Sequence, residues 1–116
     1  MTLLPETILQ FGGGNFLRAF ADLFVHEANL AGQSVGRVVV VQSTRSNRAE
    51  LLNAQGGRYH VATRGLQGGE EVDRVAKVES ISRALVARSE WEAVLDVGRA
   101  ADLRFIISNT TEAGYA

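Results

Sequence analysis

One stretch of this 116-residue chain limits its fold more than any other: residues 7–22, TILQFGGGNFLRAFAD. An apolar run (Ile8, Leu9, Phe11) passes directly into three glycines and then into an amphipathic helical pattern. Gly12 and Gly14 free the backbone to turn sharply and leave bare N–H groups close to a ligand. The helix start that follows brings unpaired amides and the positive end of its dipole to the same point, which suits a phosphate. Strand, Gly-x-Gly turn and helix start together form the phosphate-binding half of a dinucleotide fold. Leu17 stands where the third glycine of that fingerprint is usual, which implies wider helix–strand packing without loss of phosphate binding.

Beyond the turn, Phe16, Leu17, Phe20, Leu23, Phe24 and Leu30 recur at helical spacing. They predict one helix over residues 15–31 with that face against a sheet, ended by Gly32. RVVVVQ at 37–42 has no polar alternation, as expected of a central parallel strand buried on both faces. A β–α–β unit thereby closes within roughly thirty residues. A polar turn at 43–48 leads into a short helix over 47–55. RYHVATR at 58–64 alternates as a strand, Gln67-Gly68-Gly69 is a turn, and 71–81 holds one or two further strands. SEWEAVLDVGRAA opens with a capping-box pattern, Ser89 to Glu92, and carries an apolar face at Trp91, Val94, Leu95 and Val97. LRFIIS at 103–108 is a further buried strand, and residues 109–114 form the loop leaving its C-terminal end. The expected class is α/β: a truncated doubly wound, Rossmann-like parallel sheet with a β-hairpin-like insertion, in one domain.

In doubly wound sheets ligands lie beyond the C-terminal ends of the strands, where chain direction reverses. Three loops share that edge, and they supply the candidate cofactor contacts. Gly12, Gly14, Asn15 and Phe16 form the first turn, with Arg18 one helical turn on. Gln42, Ser43, Thr44 and Arg45 follow the second strand; Asn109, Thr110, Thr111 and Glu112 follow the last. Arg18 either reaches an anion or stands as an exposed helical arginine. No carboxylate follows the second strand, where an acidic residue usually accepts from the adenosine ribose. Gln42 can bond a hydroxyl there, and Arg45 or Arg48 can pair with a 2′-phosphate. From residues alone this favours NADP or dual use, although a solvated turn explains the same composition. Asx and Ser/Thr turns likewise compete with a ligand role for residues 109–112. His26 and His60 lack partners at catalytic or metal spacing and are assigned structural roles, and Lys77, the only lysine, a solvated one. No nucleophile–base pair or hydride-transfer acid/base is present, so no catalytic residue and no metal ligand is assigned.

Composition narrows the classes further. At 46% hydrophobic with net charge −1, the chain is neither disordered nor membrane-spanning, and no basic excess points to nucleic acid. The absence of cysteine excludes disulfides and thiolate zinc sites. The first ten residues lack the basic and apolar regions of a signal peptide, so a cytoplasmic setting is expected.

Taken together, LQFGGGNFLRAFAD, RVVVVQSTRS, TRGL and FIISNTTEAG resemble the N-terminal domain of the long-chain polyol dehydrogenases, the mannitol dehydrogenase family. Within it they are most similar to the tagaturonate reductase (altronate oxidoreductase) branch, where QFG-x-GNFLR and SNTTEAG are typical. The resemblance covers nearly the whole chain, and SNTTEAG is far more specific than the glycines. It implies an NAD-binding Rossmann domain with Gly12, Gly14, Asn15 and Phe16 at the pyrophosphate turn, and Asn109 to Glu112 on the cofactor or substrate side. It also implies a parent enzyme that moves a hydride between NAD(H) and a sugar acid or polyol, such as tagaturonate to altronate. In that family the catalytic lysine and its Asn and His partners lie in a C-terminal helical domain. The chain is therefore expected to be a fragment, inactive alone, that self-associates through FIIS as an exposed apolar edge. Arg45 stands where an acidic residue is plausible in relatives, which leaves NAD against NADP open. Two other functions compete: a nucleotide-binding or assembly module without catalysis, and a methyltransferase-like domain using the glycine turn for S-adenosylmethionine. The missing carboxylate after the second strand weakens the last.

Overall fold

The RVVVVQ run is the centre of the molecule: Val38, Val39 and Val41 are 0% exposed and Val40 1%. The computed structural model describes residues 3–109. Its elements in chain order are β1 (Glu6–Phe11), α1 (Asn15–Ala19), α2 (Ala21–Leu30), β2 (Arg37–Gln42), α3 (Arg48–Ala54), β3 (Tyr59–Gln67), β4 (Glu70–Val78), β5 (Ile81–Val86), α4 (Trp91–Arg99) and β6 (Phe105–Ser108). Four strands form one parallel sheet in the order β5-β2-β1-β6. The chain steps outward from β1 to β2 and β5, then crosses back to place β6 beside β1. That reversal is the switch point of a doubly wound sheet, and it falls at the glycine turn.

Alternate residues of each strand face opposite layers. Ile8, Val38, Val40, Ile81 and Ala84 pack with Ala49 and Leu52 of α3, and Val25 of α2 joins them. Leu9, Val39, Val41 and Leu85 pack on the other face against Val94 and Val97 of α4. With helices on both faces, β2 has no wet side, which is why its sequence shows no alternation. β3 and β4 pair separately as an antiparallel hairpin in continuous register from Tyr59↔Val78 to Gln67↔Glu70. Gly68 and Gly69, both at positive φ, close it in a two-residue turn, so the hairpin-like insertion is borne out.

Three expectations are corrected. The single helix over 15–31 is broken at Phe20 (φ −117°, ψ −73°) into α1 and α2. Only Leu17 and Leu23 of its apolar set are buried; Phe16, Phe20, Phe24 and Leu30 are half or more exposed. The three rings instead contact one another, tilted for Phe16–Phe20 with centroids 5.0 Å apart and edge-to-face for Phe20–Phe24 at 6.4 Å. The capping box at Ser89 does not form, because α4 starts one residue later than that box requires and Glu90 occupies the cap. The Glu90 carboxylate accepts from the Val86 N–H at 3.0 Å instead. Finally, β6 is four residues long and largely exposed, which corrects the reading of LRFIIS as a buried strand and agrees with the expectation of FIIS as an exposed edge, no described strand lying beyond it. Among the described residues no helix is long and apolar enough to cross a membrane.

Candidate functional site

β1 delivers the chain to the glycine turn, and the turn is pinned on both sides. Gly12 sits at φ +116°, a region that side-chain-bearing residues rarely adopt. Its N–H donates to the Val41 carbonyl at 2.9 Å, tying the turn to the end of β2. Its carbonyl accepts from Gln10 Nε2 at 2.9 Å. Gly13 is constrained differently, by space: a Cβ there would stand 3.0 Å from Val40 Cγ1, a tight contact. Leu17, buried one turn into α1, lies beneath Gly12.

The ends of β1, β2 and β6 meet over one cavity of about 320 Å³. Gly12, Gly13 and Gly14 line it from the first turn, Gln42, Ser43 and Thr44 from the second, and Ser108 and Asn109 from the third. Phe11, Val40, Ala49 and Leu52 give it an apolar floor, and Arg48 at the start of α3 supplies a cation. A cavity of this size with an apolar base and a few polar groups is the usual form of a small-molecule site. Arg48 also lines an adjoining cavity of about 280 Å³ together with Arg18, Ser46, Asn47 and Gln55. Among the described residues there is no cluster of three or more groups able to hold a metal ion.

Several sequence candidates stand elsewhere than expected. Phe16 is exposed and Arg45 is exposed, and neither lines the main cavity. Asn15 begins α1. Thr110, Thr111 and Glu112 lie outside the described residues. The Gln42 side chain turns inward: Nε2 donates to the carbonyls of Thr44 and Ser46, both at 2.8 Å, and Oε1 accepts from the Ala49 N–H at 2.7 Å. With both amide hydrogens engaged within the chain, Gln42 shapes the β2–α3 turn and bonds the first turn of α3. Arg18 does not line the main cavity, and its guanidinium lies 5.5 Å from the centroid of the Tyr59 ring. Gly13, Arg48 and Ser108 also line the cavity, beyond the cofactor contacts that the sequence suggests, where Arg48 stands beside Arg45 only as a phosphate partner. Its position at the N-terminal end of α3, next to the second loop, was the available signal.

Behind the turn lies a buried polar pair. Gln10 and Asp22 are both fully buried, and Gln10 Nε2 donates to Asp22 Oδ2 at 3.0 Å as well as to the Gly12 carbonyl. Burial pushes the Asp22 carboxyl up to about 6, against the opposing effects of the Gln10 hydrogen bond and the Arg18 charge. Burial, and then the Asp22 charge, raise the Tyr59 phenol well above its ordinary range, with Arg18 acting against them. The Tyr59 hydroxyl donates to the Arg18 carbonyl at 2.7 Å, and Ser80 Oγ donates to the Asp22 carbonyl at 2.6 Å. His26 Nδ1 accepts from the Glu79 N–H at 3.1 Å, a structural bond as expected.

Comparisons with known proteins agree with this geometry. The Rossmann domain of mannitol dehydrogenase matches residues 6–116. Altronate oxidoreductase of Phocaeicola vulgatus is 44% identical over 115 residues, covering 99% of this chain and 24% of that protein. The Bacillus subtilis altronate oxidoreductase is 44% identical over 113 residues, covering 97% and 24%. Pseudomonas fluorescens mannitol 2-dehydrogenase, solved as a ternary complex with NAD and D-mannitol, superposes with a TM-score of 0.83 at 22% identity, over 96% of this chain and 23% of that one. A substrate-free D-sorbitol dehydrogenase gives 0.78 at 30% identity, over 97% and 23%. The chain thus spans about a quarter of the length of the relatives it matches. A doubly wound sheet whose switch point carries the glycine turn, matched over nearly all of its length by one family, places the chain in the mannitol dehydrogenase family as its Rossmann domain.

Proposed function

We propose that this chain is the N-terminal, cofactor-holding part of a cytoplasmic oxidoreductase that interconverts a keto sugar acid or ketose and its polyol, of the tagaturonate/altronate type. Convergence of the three loops on one cavity lined by bare glycine backbone carries the assignment. The donor set fits a dinucleotide: the residues at the turn bear no side chain, and Arg48 offers a positive charge beside Gly13 and Gly14. The turn backbone and Arg48 would hold the pyrophosphate, and Ser43 and Thr44, which line the same cavity, would be available to the ribose. Asn109 lines the cavity from the β6 end and would border the cofactor or substrate, with Thr110, Thr111 and Glu112 following it in sequence. When bound, the nicotinamide supplies or accepts the hydride. No described residue of the cavity is suited to move the alcohol proton, so that step belongs to the lysine that the family resemblance assigns to a C-terminal helical domain. The names of the altronate oxidoreductases and the NAD in the mannitol 2-dehydrogenase complex support the substrate class and the cofactor. Arg18 and Arg48 together on the adjoining cavity also suit a 2′-phosphate, which keeps NADP in contention.

Calorimetric titration of the chain with NAD+, NADP+ and S-adenosylmethionine tests this. We expect a dinucleotide to bind and S-adenosylmethionine not to; the reverse result would favour the methyltransferase-like alternative. Arg48→Ala should weaken dinucleotide binding about tenfold, the loss of one charge-assisted contact. A loss confined to NADP+ would make Arg48 a reader of the 2′-phosphate. No turnover of keto sugars by the chain alone is expected, and NADH oxidation by it would refute the division of labour.

A further inference from the structure

The buried Gln10–Asp22 pair does more than fill the space behind the turn. A buried carboxylate is costly, and an apolar pair of the same volume would pack there without that cost. Asp22 Oδ1 and Gln10 Oε1 have no hydrogen-bond partner among the described residues, so the pair is not a fully satisfied structural network. What it does achieve is specific. Both hydrogens of Gln10 Nε2 are used, one on Asp22 Oδ2 and one on the carbonyl of Gly12. Asp22 therefore orients the amide that holds the Gly12 carbonyl, while Val41 holds the Gly12 N–H. Both peptide groups of a residue at φ +116° are thereby fixed, and the next two residues, Gly13 and Gly14, line the cavity. A Gly12–Gly13 peptide left free to rotate could turn its carbonyl oxygen toward the space where an anion would lie.

We propose that Asp22 is a positioning residue for the glycine turn, acting through Gln10 on the Gly12 carbonyl, so that its charge state sets how firmly the phosphate-binding backbone is held. The link to phosphate rests on the dinucleotide assignment above; the link between Asp22 and the turn does not. The mechanism is one of bond strength. An ionised acceptor makes a hydrogen bond roughly twice as strong as a neutral one, so protonation of Asp22 loosens the amide that holds Gly12. The groups that face Asp22 are Arg18 from α1, whose charge favours the ionised form, and Tyr59 from β3, neutral across the working range. Ser80, just before β5, donates to the Asp22 backbone and leaves the carboxylate untouched. His26, on the next turn of α2, is tied to Glu79. With the carboxyl placed near 6, the transition falls within an accessible pH range.

The test follows the backbone amides of Gly12, Gly13 and Gly14 by ¹H–¹⁵N NMR from pH 4.5 to 8, beside the ¹³C carboxyl signal of Asp22. In the wild type the amides should titrate with the same midpoint as Asp22. In Asp22→Asn, which keeps every non-hydrogen position but is neutral throughout, they should stay near the acid limit of the wild type at every pH. In Gln10→Leu the amides should no longer follow the carboxyl, even though Asp22 still titrates. If Gln10→Leu does not fold, Asp22→Asn alone decides the matter. Glycine amides that ignore the Asp22 midpoint, or that titrate unchanged in Asp22→Asn, would overturn the proposal. NAD+ affinity provides a second readout: about threefold weaker at pH 5 than at pH 8 in the wild type, as for one weakened hydrogen bond, and flat in Asp22→Asn. An NAD+ affinity with the same pH dependence in both proteins would also overturn it. Coupled amides in a chain that binds no NAD+ at any pH would uphold the positioning role and refute the dinucleotide assignment instead.

Discussion

β2 and β6 flank the same strand, and they are written in the same alphabet. Leu9 of β1 pairs with Val39 on one side and Ile106 on the other. Yet Val39 is 0% exposed and Ile106 is 64% exposed. Both runs are apolar and β-branched, and both form parallel ladders with β1. They differ in what lies around them. β2 has a strand on each edge and helices on both faces, whereas β6 has one neighbour and a bare outer edge among the described residues. Apolar character decides that a segment becomes a strand; burial is decided by the segments that arrive later in the chain.

The same substitution on either side of Leu9 should therefore have opposite outcomes. Val39→Lys places an ammonium between Leu9, Leu85, Val94 and Val97 with no acceptor, and should cost more than about 4 kcal/mol, enough to abolish cooperative folding. Ile106→Lys should change stability by less than about 0.5 kcal/mol, as for an exposed position. Urea unfolding of the two variants, followed by circular dichroism, measures the contrast. Comparable losses in both would mean that β6 is buried in solution after all.

The buried side of this comparison also contains a charge. The unfolded chain releases the Asp22 proton near 3.8, while the folded chain keeps it until about 6. Between these values the native state binds more protons than the unfolded one, so stability falls as the pH rises through the window. The integrated loss is at most about 3 kcal/mol. Asp22→Asn removes the titration. It should flatten the stability profile between pH 4 and 6 and leave the variant at least as stable as the wild type at pH 7. Thermal unfolding at half-unit pH steps would show it. A wild-type stability that rises across that window would mean that the Arg18 and Gln10 interactions outweigh burial.

How much of this was legible in the sequence follows the same physics. RVVVVQ announced a doubly covered strand because its four consecutive valines leave no side to face water, and the glycine turn was legible because few other residues tolerate its backbone. The hairpin was legible from alternation closed by Gly68-Gly69. By contrast, Phe16, Phe20 and Phe24 share a helical period with Leu17 and Leu23, and periodicity reports that a face exists without saying what covers it. In the sequence the Gln42 amide is free to meet a ligand; only the fold shows its bonds to Thr44, Ser46 and Ala49. Arg45 and Arg48 were indistinguishable because the choice between them depends on where α3 begins.

The smallest expected effect concerns β6 itself. Among the described residues its outer edge has no partner strand and lies beside exposed Phe105 and Ile106, the combination that templates pairing with another strand. A second copy of this chain is the partner always present at the concentrations of a purified sample, so we expect reversible self-association through β6. The same Ile106→Lys change that spares the fold should oppose it, because a lysine on an edge strand brings like charges together when two edges meet. Sedimentation equilibrium should then give a dissociation constant about tenfold weaker for Ile106→Lys than for wild type, a difference of about 1.4 kcal/mol. Trp91→Ser on α4, a change at an exposed side chain away from that edge, should leave the constant unmoved. A wild-type chain that remains monomeric, or that associates equally well with lysine at 106, would show that exposure alone does not make this edge adhesive.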